Sequence, residues 1–428
     1  MGITDVQSTG FSMLVSRSDI FMLRNGTSLS RRRLGGASCH YPPNGVKVMQ
    51  SWSPQQYRYD GAQHGVSDET IESVIARVEL IAAVNPSITP VLTLRHLSEL
   101  CGVEYGFLRR IVSRSTVPYR VFSLRKRIPG RTRHRLICVP RNELKAAQDW
   151  IVRNILRHTK AHGASFAYHP KSRPELGAHR HCGCDYLLKI DITDFFHSVS
   201  EGRIFRIFAE LGFSELVAFE LARLTTIIAQ GTERPDWIAA ARWPAIPAYQ
   251  TSYEGFLPQG ASTSPMLSNL AMLALDARIA GMASDAGLVY TRYADDLTFS
   301  GRKPHDLKSM KRFKRKVFDA LNEAGFRPNL RKSSIRGPGA RRIVLGMLVD
   351  GPRPRLAKEF KDDLRKHLHY LRSKDYGPAK HAAANKTSIS AMFHMVRGLI
   401  GWATRVEPQY GRSCLVEFRK VVWPPLIP

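Results

Sequence analysis

The chain has 428 residues and is 43% hydrophobic, enough for a sizeable core in two or three domains or one large one. Lys and Arg number 64 against 36 Asp and Glu, a formal net charge of +28 at a pI of about 10.2, which asks for a polyanionic partner. No uncharged apolar stretch reaches the roughly 18 residues of a membrane span, and neither a basic amphipathic helix nor a lipidation signal is seen, so nucleic acid rather than membrane is the expected partner.

Six scattered cysteines argue against a disulfide framework, and the expected compartment is the cytoplasm. Residues 1–67 are rich in Gly, Ser, Arg, Pro and Gln and read as a poorly ordered or peripheral extension. From Asp68 to Arg114 a helical period takes over, with Ile71, Val74, Ile75, Val78 and Ile81 and then Leu97, Leu100, Tyr105, Leu108 and Ile111. Tyr119 to Pro140 reads as strand, basic turn at Pro129-Gly130, strand. Residues 141–160 are again helical, and Tyr186 to Ile190 is a buried-strand candidate that delivers Asp191 at its end.

Helices are expected from about Glu201 to Ala229, and residues 230–254 form an insertion or loop with Gly, Pro and Trp but no period. A long helix follows Leu257, then a hairpin from Leu288 to Ser300 and a helix from about His305 to Ala324. Two short strands near Ser333 and Val344 lead to a basic helical segment from Lys358 onward.

The chemistry concentrates in Tyr293-Ala294-Asp295-Asp296, where β-formers flank a turn bearing two adjacent carboxylates. Adjacent acids repel, so placing them beside apolar strands is costly unless cations bind there. A bare Asp-Asp turn is most often just solvated, but Asp191 stands at the end of its own apolar run. Two strands side by side would let Asp191 and Asp295 share a pair of Mg2+ ions about 3.5 to 4 Å apart, the arrangement of phosphoryl-transfer sites. His179, His181, Cys182 and Cys184 lie close together but lack the usual zinc-finger spacing.

These motifs, in this order, make the chain similar to the reverse transcriptase family and, within it, to the bacterial retron-like branch, over roughly Leu97 to Val406. The resemblance implies an α+β right-hand polymerase fold with fingers, a palm whose antiparallel sheet carries the acids, and a helical thumb. It divides the chain into an extension (1–67), helices and fingers (68–185), a palm (186–350) with the 230–254 insertion, and a thumb (351–428). It implies an RNA-directed DNA polymerase that copies a structured non-coding RNA template and primer into DNA from deoxynucleoside triphosphates. Two Mg2+ ions, with Mn2+ as the substitute, and an effector protein in anti-phage defence complete the expectation.

Residue by residue, the resemblance implies that Asp191, Asp295 and Asp296 are catalytic and hold metal, with the Ile192 carbonyl beside Asp191. Phe196 matches the ring that blocks a ribose 2′-hydroxyl, where a plain core aromatic is the other reading. Leu257-Pro258-Gln259-Gly260 fits the nucleotide-facing turn, with Gln259 offering an amide and Gly260 a close backbone approach. Pro265 stands where diversity-generating reverse transcriptases usually carry Gln, which disfavours that branch. Lys126 and Arg135, in the Arg-x-Ile-x-x-Pro stretch Arg135 to Pro140, are expected to clamp the incoming triphosphate, and Lys332, in Asn329 to Ser333, to protonate or neutralise pyrophosphate.

Lys358, Lys361, Arg365, Lys366 and Arg372 resemble an RNA-holding thumb face, against the alternative of a solvated helix. Gly177 to His181 and Val344-Leu345-Gly346 depart from the retron Asn-Ala-x-x-His and Val-Thr-Gly elements, which fits a divergent retron or a related defence-associated enzyme. A protein-primed or untemplated abortive-infection polymerase and an inactive RNA-binding scaffold are the alternatives.

Overall fold

The computed structural model describes residues 52–128, 131–170, 172–228 and 255–425. Most of the expected 1–67 extension, the Pro129-Gly130 tip and the 230–254 insertion therefore lie outside the described residues. Two compact units emerge: residues up to Lys160 with Val199–Leu267, and Ala161–Ser198 with Ser268 onward.

In the first unit, α1 (Pro54–Gln63) packs on α2 (Asp68–Val84) through Tyr57, Ile71 and Ile75. Residues 54–63, within the stretch read from the sequence as an extension, thus form a helix packed on α2. Ser67 caps α2 by accepting a hydrogen bond from the Thr70 amide, and Thr93 caps α3 (Leu94–Cys101) in the same way from His96. Next come α4 (Tyr105–Val112) and the antiparallel pair β1 (Tyr119–Ile128) and β2 (Arg131–Pro140), with Tyr119 opposite Pro140. α5 (Asn142–Asn154) completes this stretch.

The second unit opens with α6 (Pro174–His179) and β3 (Tyr186–Thr193). The chain then returns to the first unit for α7 (Glu201–Glu210) and α8 (Glu215–Thr225). There the buried Glu201 takes Arg223 at 2.9 Å, accepts from Thr226 at 3.0 Å and pairs with Arg114. Four partners, the Gly255 amide at 3.2 Å among them, stabilise that carboxylate in a dry interior, whereas removing the carboxylate would leave two buried guanidiniums uncompensated.

The long helix expected after Leu257 is instead two, α9 (Ser264–Ala271) and α10 (Leu273–Asp285). The Met272 amide bonds back to the Asn269 carbonyl, three residues away, so the α-helical ladder is interrupted there. Among the described residues, no single helix is long and apolar enough to cross a membrane.

The palm-like sheet has the order β4-β5-β3-β6, with β7 also on β3. Its members are β3, β4 (Val289–Tyr293), β5 (Asp296–Gly301), β6 (Arg327–Pro328) and β7 (Ser334–Arg336). β3 is central, pairing with β5 from Tyr186 to Asp191 and with β6 at Ile192 and Thr193, so Asp191 lies within the strand and not at its end. Between β5 and β6, α11 (Leu307–Glu323) packs on the sheet, the Phe313 ring lying 5.1 Å from that of Phe299.

A small sheet of β8 (Ile343–Val344), β9 (Met347–Leu348) and β10 (Arg355–Leu356) follows. Leu345 and Gly346, both at positive φ (49° and 80°), turn between β8 and β9. Four helices close the chain: α12 (Lys358–Arg372), α13 (Gly377–Ala384), α14 (Ile389–Val406) and α15 (Pro408–Arg419). They share a core of Leu364, Leu368, Leu371, Met392, Val396, Ile400, Cys414 and Phe418.

Candidate active site

The β4–β5 hairpin and the central strand bring the acids together. Asp191 stands opposite Asp296 in the β3–β5 register, and the Ile192 amide donates to the Asp295 carbonyl at 2.9 Å. Ala294 and Asp295 form the two-residue turn, with Ala294 at φ 55°, a left-handed conformation that glycine adopts far more readily. Backbone strain of this kind persists where the surroundings fix it.

Those surroundings are buried just behind the turn. Arg292 bonds Asp276 through Nε and Nη2, the latter at 2.6 Å, and reaches the Ala294 carbonyl at 3.1 Å and Asn269 at 3.2 Å. Tyr290 donates to the same Asp276 at 2.7 Å. On the other strand faces, His181 bridges Ser300 and Thr291 with a 2.7 Å bond from each ring nitrogen. Both nitrogens are thereby taken by hydroxyls, and burial holds the imidazole neutral, its pKa pushed down to about 3.

The acids meet cations of their own chain. Asp191 receives Lys332 at 2.7 Å and the Asn329 side-chain amide at 3.0 Å, while Asp296 pairs with Lys189 at 2.7 Å. Asp295 makes no ion pair among the described residues, and its carboxyl is pushed up in pKa by burial and then by the negative charge of Asp191. Asp296 is also raised by burial, with Lys189 pulling the other way. Clustered carboxylates that burial and mutual repulsion disfavour are a donor set suited to a hard divalent cation. Among the described residues, no three His, Cys, Asp or Glu side chains are drawn into a coordination group, and Lys332 and Lys189 pair with two of the acids.

The aromatic member also sits here. Phe196 packs edge-on to Phe195 at 5.5 Å and lies 6.2 Å from Tyr168, which in turn is 6.2 Å from Tyr293. The expected nucleotide residues Lys126, Arg135, Gln259 and Gly260 belong to the first unit. In strand register Lys126 opposes Arg133 and Arg135 opposes Leu124. The Gln259 carbonyl accepts from the Cys138 amide at 2.8 Å, tying the Pro-Gln-Gly turn to β2. Gly260, at φ 120°, would place a Cβ 3.0 Å from the Cys138 carbonyl, so its close backbone approach is to that strand.

Of the cations expected to hold RNA, Lys361 pairs with Glu407 at 2.7 Å, Arg365 with Asp362 at 3.4 Å, and Arg372 with Glu417. Lys358 and Lys366 are exposed and make no ion pair among the described residues. Sequence reasoning gave no role to Lys189, Asn329, Asp276 or Arg292. Lys189 was findable, because it lies two residues before Asp191 and shares its strand face. Asp276 and Arg292 carried no local signal, since their pairing exists only in three dimensions.

A sheet that pairs acids across a central strand and a strained hairpin is the palm of a template-directed nucleotidyltransferase. Residues 125–349, more than half of the chain, match the model of the family described as reverse transcriptase (RNA-dependent DNA polymerase). The chain belongs to that family, with its right-hand polymerase fold and its dependence on divalent metal, and it is an RNA-directed DNA polymerase.

It is retron-like within the family. The chain is 28% identical over 330 residues to the retron Ec86 reverse transcriptase of Escherichia coli, covering 76% of this chain and 93% of that one. It is 33% identical over 281 residues to the retron Mx65 reverse transcriptase of Myxococcus xanthus, covering 64% of this chain and 62% of that one. Among solved structures, a telomerase from Candida albicans in complex with a fragment of telomeric RNA aligns with a TM-score of 0.38 at 12% identity, over 71% of this chain and 56% of that one.

Proposed function

We propose that this protein copies a structured non-coding RNA, which also provides the primer, into DNA by two-metal-ion phosphoryl transfer in the cytoplasm. The biological setting on this reading is retron-type anti-phage defence with an effector protein. The observation that carries it is the cross-strand opposition of Asp191 and Asp296 with Asp295 at the adjoining turn.

Asp191, Asp295 and the Ile192 carbonyl would hold two Mg2+ ions, assisted by Asp296. When bound, such ions activate the primer 3′-hydroxyl and stabilise charge on the leaving pyrophosphate. The protein's own part is positional. Asp191 is fixed in place by Asn329 and Lys332. In this scheme Lys332 leaves Asp191 to meet the pyrophosphate, and the Phe196 ring excludes a 2′-hydroxyl. Lys126 and Arg135 clamp the triphosphate while Gln259 and Gly260 line the nucleotide. Fingers within 68–185, a palm at 186–350 and a thumb at 351–428, whose Lys358, Lys361, Arg365, Lys366 and Arg372 grip RNA, are part of the same proposal.

The test is deoxynucleotide incorporation by Asp191→Ala and Asp295→Ala on a primed RNA template, beside binding of the RNA that copurifies with the protein. Incorporation should vanish in both variants with RNA binding nearly unchanged, and synthesis retained in either would reject the assignment. Sequencing the copurifying nucleic acid separates retron from scaffold, since a covalent RNA–DNA product supports the former and RNA alone the latter.

A further inference from the structure

The exposed face of α11 carries a charge arrangement that the fold itself does not use. Lys308, Lys311, Arg312, Lys314, Arg315 and Lys316 crowd the N-terminal half of the helix. Lys308, Lys311, Arg312 and Arg315 follow the three-and-four spacing of a single stripe, opposite the buried Met310, Phe313 and Val317. None of these six cations makes an ion pair among the described residues, although Lys314 rests over the Phe318 ring at 5.0 Å.

Three costs coincide here. Like charges sit four apart at Lys308 and Arg312, Lys311 and Arg315, and Arg312 and Lys316, each a destabilising pair. Apart from Asp306 at the N-cap, beside Lys308 and Arg312, the helix has no acid in its first turn and no base in its last, so the remaining charges run against its macrodipole. An ordinary solvated face would intersperse acids, but here, Asp306 at the cap apart, Asp319 and Glu323 lie at the far end and Glu323 is already paired with Arg278 at 2.6 Å. A stripe that repels itself and opposes the dipole calls for an anion from outside.

The stripe is also separate from the acids. Phe299 faces α11, and Phe299 stands opposite Leu188 in the β3–β5 register. Asp296 and Asp191 are each an odd number of residues from these two and so project from the other face of the sheet.

We infer that the α11 stripe binds the phosphate backbone of double-stranded RNA on the far side of the palm-like sheet from the catalytic acids. Resting on the polymerase reading above, this gives the RNA that is copied a second foothold, outside the template–product duplex. From Lys308 to Arg315 is about 10 Å along the helix axis, the span of roughly three phosphates of one strand. Phe313 is buried and Phe318 lies under Lys314, so the stripe offers charge without a stacking platform, which suits a duplex backbone and not splayed bases.

The experiment first loads the protein with a short RNA–DNA primer–template ended by a dideoxynucleotide, then titrates a fluorescent, blunt double-stranded RNA of unrelated sequence. A ternary complex should form. In the triple variant Lys311→Glu, Arg312→Glu, Arg315→Glu its affinity should fall by about tenfold or more, and the log–log salt slope should shrink by roughly two to three. Primer extension on the preloaded duplex should be unaffected. The variant should also melt close to the parent, because the pairs 308–312 and 312–316 change from like to opposite charge while 311–315 stays like-charged and 315–319 becomes so.

Failure to form a ternary complex, or one with parental affinity and salt slope in the variant, overturns the inference. So does a large drop in melting temperature together with lost binding, which would mark the face as structural, and so does binding of the parent to phosphatidylserine vesicles in preference to RNA. Failure of the first loading step would instead count against the polymerase reading.

Discussion

Lys332 reaches the carboxylate of Asp191 at 2.7 Å, a lysine and an acid 141 positions apart in the chain joined in one ion pair. The pair is partly solvated, the two side chains being 48% and 19% exposed, so it is easily exchanged for other partners. Lys332 therefore competes with any cation for Asp191. Lys332→Met is expected to lower the Mg2+ concentration that gives half-maximal synthesis. At saturating Mg2+ it should also lower kcat by about 100-fold, the scale of a lost proton-transfer or charge-stabilising group. Synthesis rates across a magnesium titration measure both, and a raised half-saturation with kcat intact would contradict the competition.

Asp295 should show a conflict between stability and function. Burial, followed by the charge of Asp191, raises its pKa. A carboxyl whose folded pKa is raised costs stability when ionised, and the cost is relieved as the pH falls through that folded pKa. At neutral pH and in chelator, Asp295→Asn should therefore be more stable than the parent by on the order of 1 kcal/mol. It should also be inactive. Added divalent cation should raise the melting temperature of the parent and leave that of the variant nearly where it was. A variant less stable than the parent in chelator would mean that the carboxylate is satisfied within the fold.

Phe196 makes a separable claim about substrate choice. Its ring is held between Phe195 and Tyr168 and is only half-buried, so one edge is open. Phe196→Ala should narrow the preference for deoxynucleotides over ribonucleotides by roughly 10- to 100-fold, the range set by a single steric group in a pocket. The ratio of kcat/KM for the two sugars is the readout. An unchanged ratio would leave Phe196 as a core aromatic, the other reading its sequence allowed.

How far the sequence carried follows from which interactions are local. The hairpin around Ala294 and the β3 strand were legible because β-formers around adjacent acids and a short apolar run are written in consecutive residues. The interruption at Met272 was not, and nor were the bonds of Asn269 beside it, whose side chain accepts from Ser165 at 2.9 Å and donates to the Ala167 carbonyl at 2.7 Å, partners about 100 residues away. The same limit explains the thumb. Helical period predicted α12, but whether Lys361 and Arg372 face water or an acid depended on Glu407 and Glu417 of later elements. Likewise α1 joins the fold through one buried ring, Tyr57, which no periodicity announces.

His181 supplies a pH prediction with a definite sign. In the folded chain it is neutral and donates or accepts at both Ser300 and Thr291, with burial, and then Arg180, pushing its pKa to about 3. In the unfolded chain it titrates near 6.5, so between these values the unfolded state binds the extra proton and stability falls as the pH falls. The His181 contribution is therefore whole above about pH 6.5 and is lost progressively toward the folded value. From pH 7 to pH 5 the loss from one such histidine is about 2 kcal/mol. His96, pushed down to about 4 by burial, acts in the same direction, so the dependence should be reduced and not abolished in a His181 variant. His181→Gln keeps an amide able to meet one hydroxyl. It should lower stability at pH 7 by about 1 to 3 kcal/mol, the cost of an unmet buried polar group, and should flatten the fall between pH 7 and pH 5 by about 2 kcal/mol. Urea unfolding at the two pH values measures both, and a parallel pair of curves would mean that the imidazole takes up its proton within the folded strands.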